Sequence, residues 1–135
     1  MEKLKKKYQT LLQAFSTVED AIGSYKEFLD DEKFYEMSRD SLIQRFEYSI
    51  DMLWKYLRTH IQETLKIEIA PSPRTTFDEA EKQGLISEDE RKILLKAITE
   101  RNKTSHMYRE EIADALAKQI SDFFETMSRV AKRLG

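Results

Sequence analysis

Apolar residues recur at steps of three and four along nearly the whole chain, which is the spacing of one face of an α-helix. This pattern predicts a first helix from about Lys3 to Leu29 and a second from about Ser38 to Glu68. The acidic run at 30–32 separates them, since the C-terminal end of a helix dipole disfavours negative charge. The predicted apolar stripes are Leu4, Tyr8, Leu11, Leu12, Phe15, Val18, Ile22, Tyr25, Phe28 and Leu29, then Leu42, Ile43, Phe46, Ile50, Leu53, Trp54, Leu57, Ile61 and Leu65.

A loop follows the second predicted helix at 69–73, the only stretch of the sequence that contains proline. Thr76 and Glu79 then have the spacing of a capping box, which predicts the start of a short helix over about Phe77 to Gln83. Gly84 stands where a glycine commonly ends a helix.

The remainder of the chain predicts two longer helices. Ser87 and Glu90 form a second capping-box pattern, which opens a helix that reaches about Arg101. The last helix is predicted from about Arg109 to Leu134. Four main helices with short connections predict an all-α fold, an antiparallel up-and-down four-helix bundle with one short inserted helix, formed by a single domain over residues 1–135.

Composition narrows the range of functions. The 135 residues include no cysteine, which excludes disulfides, thiolate metal sites and a cysteine nucleophile. The formal net charge is −2, so nucleic-acid binding through the charge of the whole molecule is disfavoured, and any RNA contact has to be local. No secretory signal and no membrane-spanning run is recognisable, which predicts a soluble, cytoplasmic protein without membrane contact.

Candidate chemistry is concentrated in one segment, from Arg101 to Tyr108, which interrupts the hydrophobic periodicity between two predicted helices. Arg101 offers a permanent cation, His106 a group that titrates near neutrality, and Tyr108 a phenol. The segment is rich in residues with weak helix propensity, namely Asn102, Thr104, Ser105, His106 and Tyr108.

Helix geometry limits what these residues can do together. Residues five apart on a continuous helix point about 140° away from each other, so Arg101 and His106 would not share a face. They can converge only if the helix breaks between them, which the weak helix formers at 102–105 favour, or if two chains meet here. On a continuous helix Asn102 and His106 would be neighbours, and Arg101 and Tyr108 would align.

Other conspicuous residues have ordinary structural interpretations. A single histidine at a helix junction is more often a cap or a half-buried hydrogen-bonding group than a catalyst, and His60 is predicted to be a surface residue of the second helix. Phe46, Tyr48 and Trp54 are interpreted as bundle packing. The lysine-rich start is interpreted as a solvated helix face, and the absence of any E-x-x-H pair in the sequence disfavours a di-iron centre.

Three stretches of the sequence form a recognisable set. They are Ile43-Gln44-Arg45-Phe46-Glu47-Tyr48 with Trp54-Lys55, then Ser72-Pro73-Arg74 with Glu79-Ala80, and finally Arg101-Asn102, Ser105-His106 and Tyr108 with Glu110 and Ala113. Together they resemble the nucleotidyltransferase substrate-binding proteins, a branch of the HEPN superfamily. The resemblance covers about residues 3–134, and its most specific part is the string Arg-Asn-x-x-Ser-His-x-Tyr.

The resemblance implies a helical bundle that forms a homodimer and associates with a separate small nucleotidyltransferase. In many HEPN proteins an R-x4-H pair forms a metal-independent ribonuclease site at the dimer interface, and Arg101 and His106 match that pair. In related toxin–antitoxin modules the nucleotidyltransferase attaches AMP to a tyrosine that Tyr108 matches, which silences the toxin. No metal or cofactor is expected.

Under this hypothesis the candidate residues have distinct roles. Arg101 holds the RNA phosphate, His106 acts as general base or acid, and Asn102 orients His106 or a phosphate oxygen. Lys103 and Arg109 contact neighbouring RNA phosphates. The alternative hypothesis is a non-catalytic subunit that presents a small substrate to the nucleotidyltransferase.

Overall fold

The computed structural model describes residues 2–106 and 109–135, and for 105 and 106 it describes the backbone only. All the regular structure in this part of the chain is helical, which confirms the all-α prediction. None of the described helices combines the length and the apolar character that crossing a membrane requires. The elements are α1 (Glu2–Glu27), α2 (Tyr35–His60), a π-helical turn (Ile61–Leu65), α3 (Pro73–Lys82), α4 (Glu88–His106) and α5 (Glu110–Leu134).

The four long helices form the bundle, with α3 as the short inserted helix. α1 packs along α2, α2 packs on α5, and α5 packs on α4, while α3 lies against both α2 and α4. The predicted core residue Phe46 is fully buried, and its ring stacks on Phe123 with centroids 6.0 Å apart. Trp54 is also buried, so α2 supplies the centre of the core as predicted. α2 is therefore the element against which the others are positioned.

The boundary between α1 and α2 differs by a few residues from the prediction. α1 ends at Glu27, two residues before Leu29, which is consequently exposed. α2 begins at Tyr35 because Asp31 prepares its first turn: its carboxylate accepts hydrogen bonds from the backbone N–H groups of Lys33 and Phe34. Leu12 of the predicted α1 stripe is also exposed, since α1 packs mainly on α2.

The second helix does not continue to Glu68 as predicted. Its α-helical part stops at His60 and passes through the π-helical turn, after which Lys66 adopts a left-handed conformation with φ of 58°. The guanidinium of Arg58 donates a hydrogen bond to the carbonyl oxygen of Ile69, 3.0 Å away, and Ile69 is buried. The chain therefore changes direction after the π-helical turn, because this allows Ile69 to pack in the core.

The inserted helix starts earlier than predicted, so the expected capping box of Thr76 and Glu79 is wrong. Ser72 is the N-cap: its hydroxyl accepts a hydrogen bond from the backbone N–H of Thr75, and Pro73 occupies the first helical position, where proline is favoured. Thr76 lies inside the helix and is fully buried. Gly84 does follow the helix end as predicted, with φ of 76°.

The predicted capping box at the start of α4 is confirmed. The backbone N–H of Ser87 donates to the carboxylate of Glu90, and the backbone N–H of Glu90 donates to the hydroxyl of Ser87. The same carboxylate accepts two hydrogen bonds from the guanidinium of Arg133 in α5, at 2.7 and 2.8 Å. This network fixes the first turn of α4 against the last turn of α5.

Candidate functional site

The end of α4 remains helical through the segment that carries the candidate chemistry. α4 runs to His106, so the helix break expected between Arg101 and His106 does not occur. Propensity differences among these residues are only a few tenths of a kcal/mol each, and tertiary contacts override them. Positions 101 and 106 therefore lie about 140° apart around the helix axis. Arg101 and His106 can then meet only if two chains come together here.

Arg101 is held in place by α2. One of its terminal N–H groups donates to the carboxylate of Asp51 over 2.6 Å, and the Arg101 side chain remains 19% exposed. The Asp51 side chain is 34% exposed, so this ion pair lies at the protein surface and not inside the core. Because both helices belong to the rigid bundle, the guanidinium is positioned before any ligand arrives.

A second contact ties the same turn of α4 to α2. The hydroxyl of Thr104, a buried residue, lies 3.1 Å from the carboxylate of Glu47 and 2.8 Å from the carbonyl oxygen of Arg101. Glu47 and Asp51 are four residues apart and so lie on one face of α2. These two carboxylates explain why weak helix formers stay helical here.

The remaining predicted site residues lie around this turn. Asn102 is exposed, and Lys103 is half exposed with its ammonium 3.0 Å from the carboxylate of Glu100. Arg109 is exposed and occupies the N-cap position of α5. The side chain of His106 and the whole of Tyr108 lie outside the described residues, so the predictions made for them stay predictions.

A cavity of about 390 Å³ opens between α3 and α4 beside Arg101. It joins two stretches that are far apart in sequence: the start of α3, with Arg74, and the last turns of α4, with Arg101 and Asn102. Its remaining lining comes from Ser72, Pro73, Leu95, Ile98 and Thr99. Both arginines therefore border one space that is large enough for a small ligand.

A second arginine network lies nearby on α2 and is built differently. The Arg39 side chain is 2% exposed and contacts the carboxylates of Asp40, Glu110 and Asp114. Burial acts to lower the pKa of Arg39, but the hydrogen bonds to these carboxylates outweigh it and raise the pKa above its ordinary value. The hydrogen bond from the Tyr35 hydroxyl, 2.6 Å long, is the main reason why the pKa of Asp114 is lowered.

The acidic partners of Arg101 and Thr104 and one basic residue of this region were not predicted from the sequence. Glu47 and Asp51 had a detectable signal, namely two carboxylates on one helix face, but nothing local indicated which arginine they meet. Arg74 belonged to a stretch that resembles the family but was not considered a site residue. Among the residues that the structure describes, no three His, Asp or Glu side chains come together as a metal site would require.

Two structural interpretations made from the sequence are wrong. His60 is half-buried and not a plain surface residue: its ring lies against Tyr56, with centroids 6.1 Å apart, and burial lowers its pKa. Tyr48 does not pack into the bundle, since it is 56% exposed and borders a separate groove between α1 and α2 that also contains Arg45. Neither residue lies in the cavity beside Arg101.

The fold is shared with solved structures. A protein from Thermus thermophilus is 32% identical and aligns over 87% of this chain and 98% of its own, with a TM-score of 0.70. A tri-AMPylated HEPN toxin from Shewanella oneidensis, solved in complex with an MNT antitoxin, is 19% identical over 96% of this chain and 94% of its own, with a TM-score of 0.75. A toxin–antitoxin structure with AMP-PNP is 18% identical over 98% of this chain and 97% of its own, with a TM-score of 0.76. No curated protein matches the chain.

The family follows from a match of nearly the full length. Residues 6–135 match the family described as nucleotidyltransferase substrate binding protein like. The matched range includes the start of α3, the ion pair of Arg101 with Asp51, and the whole segment with the Arg-Asn-x-x-Ser-His-x-Tyr string. The resemblance inferred from the sequence is thus confirmed, and the chain belongs to the nucleotidyltransferase substrate-binding protein family.

Proposed function

We propose that this chain is the toxin of a toxin–antitoxin module, a cytoplasmic, metal-independent RNA endonuclease that a separate small nucleotidyltransferase silences by transferring AMP to Tyr108. The observation that carries the proposal is the placement of Arg101, whose guanidinium is fixed by Asp51 at the surface, beside a cavity and one turn before the end of α4. The fold likeness to a tri-AMPylated HEPN toxin bound to an MNT antitoxin supports it.

The proposed reaction needs only groups of the protein. The 2′-OH of RNA attacks the adjacent phosphorus, the bond to the 5′-oxygen breaks, and a 2′,3′-cyclic phosphate and a 5′-OH end result. His106 takes the proton of the 2′-OH or gives a proton to the leaving oxygen, because its ordinary pKa lies near neutrality. Arg101 stabilises the charge that develops on the phosphate oxygens, and Asn102 orients His106 or one of those oxygens.

The continuous helix argues for a homodimer in this mechanism. Arg101 and His106 are five residues apart on helical backbone and so face different directions within one chain. A two-fold interface at the ends of the two α4 helices would bring the Arg101 of one protomer to the His106 of its partner. Lys103 and Arg109, both exposed at this end, would then contact flanking phosphates.

AMP transfer to Tyr108 provides the silencing step. The phenol oxygen attacks the α-phosphorus of ATP, pyrophosphate leaves, and a base of the nucleotidyltransferase accepts the phenol proton. The product places an anion with its nucleoside next to the proposed RNA site. It would compete with RNA phosphate for the same cations, by charge and by bulk.

One observation favours a second function, that of a non-catalytic subunit which presents a small substrate to the nucleotidyltransferase. The cations of the site already face carboxylates: Asp51 lies against Arg101, and Glu100 against Lys103. These carboxylates weaken the attraction for a long polyanion, whereas the cavity of about 390 Å³ accommodates a small molecule.

Expression of the chain alone and then with its nucleotidyltransferase separates the two functions. The toxin proposal predicts arrested growth alone, recovery with the partner, and one or more added AMP units located on Tyr108 by mass spectrometry. Tyr108→Phe abolishes recovery, while the matched control Tyr48→Phe, which changes an exposed tyrosine outside the cavity, leaves it intact. Normal growth of every host with the unaccompanied chain would favour the binding subunit.

A further inference from the structure

The cavity between α3 and α4 has a composition that the proposed nuclease mechanism does not explain. Its lining combines two arginines from different elements, Arg74 and Arg101, with the amide of Asn102. The described residues that line it include no carboxylate, although Asp51 contacts Arg101 at its border. Its chemistry is therefore that of an anion site with space for a ligand next to the cations.

Arg74 differs from Arg39 and Arg101, which both contact carboxylates. It is exposed, and no carboxylate of the described residues lies within ion-pair distance of it. Its backbone is nevertheless fixed, because Ser72 caps the helix and Pro73 begins it. A cation without a structural partner on a rigid helix start is suited to binding an anion.

Three of the remaining lining residues are apolar and suit a planar ring, while Ser72 and Thr99 add hydroxyl groups. Leu95 and Ile98 provide one wall from α4, and the ring of Pro73 provides a wall from α3. Thr99 adds a hydroxyl at the exposed edge. A volume of about 390 Å³ lies within the range of small-ligand sites, so one phosphate and one base with its ribose can occupy it together.

We propose that this cavity binds one nucleotide unit, with Arg74 and Arg101 on its phosphate and its base against Pro73, Leu95 and Ile98. The inference deepens the proposed function, on which it rests for the role of Arg101, and it assigns Arg74 as a further phosphate-binding residue. A guanidinium has five N–H donors, so Arg101 can hold Asp51 and a phosphate at once. The nucleotide unit comes either from an RNA strand or from a free nucleotide.

Binding to the full chain in a His106→Ala background tests this without cleavage. The probes are a fluorescein-labelled single-stranded RNA, measured by anisotropy, and AMP, measured by calorimetry. Arg74→Ala should weaken binding of at least one probe by about tenfold, the size expected for one charge-assisted phosphate contact. Thr99→Trp should weaken it similarly, because it fills the cavity at an exposed position without changing any charge.

A matched control removes the same charge elsewhere. Arg45 is also exposed but borders the groove between α1 and α2, so Arg45→Ala should change affinity by less than about twofold. A loss confined to RNA identifies the strand as the source of the nucleotide, and a loss for AMP identifies the free nucleotide; both support the inference. Unchanged binding of both probes by Arg74→Ala and Thr99→Trp, or no binding by the parent, overturns it.

Cleavage of RNA by the chain with His106 intact is measured separately. Absent cleavage together with an Arg74-dependent affinity contradicts the nuclease function and leaves the nucleotide site standing. Cleavage that requires Arg101 and His106, together with unchanged binding by Arg74→Ala, contradicts the nucleotide site alone. Thermal melting of Arg74→Ala should match that of the parent, since no ion pair within the described chain is lost.

Discussion

Arg39 and Arg101 both contact carboxylates of another helix, but their side chains differ in solvent exposure. This difference distinguishes a structural arginine from one that is available to a ligand. Arg39 is enclosed between α2 and the first turns of α5, with its side chain 2% exposed among three carboxylates. Arg101 bridges α4 and α2 at the surface, with its side chain 19% exposed beside a cavity. An enclosed arginine stabilises the fold, whereas a fixed but accessible arginine can also meet a ligand.

The largest effect on stability is expected for Arg39→Met. Removing the guanidinium takes away its hydrogen bonds to Glu110 and Asp114, but these carboxylates are 60% and 42% exposed and regain water, so the free energy of unfolding should fall by about 2–3 kcal/mol. Urea denaturation measures this change in the free energy of unfolding. The matched control Arg45→Met, an exposed position on the same helix, should change the value by less than about 0.5 kcal/mol. Equal effects of the two substitutions would show that the enclosed Arg39 contributes no more to the free energy of unfolding than an exposed arginine does.

The next effect concerns the other enclosed network, at Glu90. The hydrogen bond from Arg133, with that from the backbone of Ser87, lowers the pKa of Glu90 to about 2 from an ordinary value of 4.5. Since the folded pKa is depressed, this contribution is fully present above about pH 4.5 and is lost as the pH falls through about 2.

Because Arg133 is itself 44% exposed, we expect the network to contribute on the order of 2 kcal/mol. Denaturation of the wild type and of Glu90→Gln at several pH values measures the contribution of the Glu90 carboxylate to the free energy of unfolding. The difference in unfolding free energy between the two proteins should shrink from pH 6 to pH 2. A difference that stays constant over that range would mean that the Glu90 carboxylate is not the group responsible.

Arg101→Ala should affect stability less and function more. Its ion pair with Asp51 is partly exposed, so the free energy of unfolding should fall by no more than about 1 kcal/mol. Under the proposed function the same substitution abolishes RNA cleavage and growth arrest. A loss of about 2 kcal/mol or more, as large as that expected for Arg39→Met, would place Arg101 in the same structural class as Arg39.

Lys103→Ala should give the smallest effect. The side chain is 53% exposed and pairs with Glu100 one turn away on the same helix, so stability should change by less than about 0.5 kcal/mol. The affinity for RNA should fall only severalfold, with a shallower dependence on salt, since one phosphate contact is lost. An RNA affinity that is unchanged at every salt concentration would remove Lys103 from the site.

Local pattern predicted most of the fold. Helix periodicity gave the long helices, and the capping box of Ser87 and Glu90 located the start of α4, because both signals depend on residues a few positions apart. The start of α3 was missed because the helix uses Ser72, four residues before Thr76, as its N-cap. The end of α2 was not predicted, because it depends on the packing of Ile69 in the core, which local periodicity does not show.

For the candidate site, the structure tests the predicted geometry and not the predicted roles. Arg101 and Asn102 were indicated by chemistry and resemblance and stay predictions, whereas the predicted helix break between Arg101 and His106 was wrong. What prevents the break lies 50 or more positions away, at Asp51 and Glu47 of α2. The enclosure of Arg39 depends in the same way on residues more than 70 positions later, so no local signal distinguishes these two arginines.

The most direct test of the proposed function is cleavage of RNA by the purified chain in the presence of EDTA, compared with cleavage by Arg101→Ala and His106→Ala. The proposed function predicts that the wild type leaves 2′,3′-cyclic phosphate and 5′-OH ends, that both variants leave the RNA intact, and that Arg101→Ala still folds. Intact RNA after incubation with the wild-type protein, or equal cleavage by the variants, would contradict it.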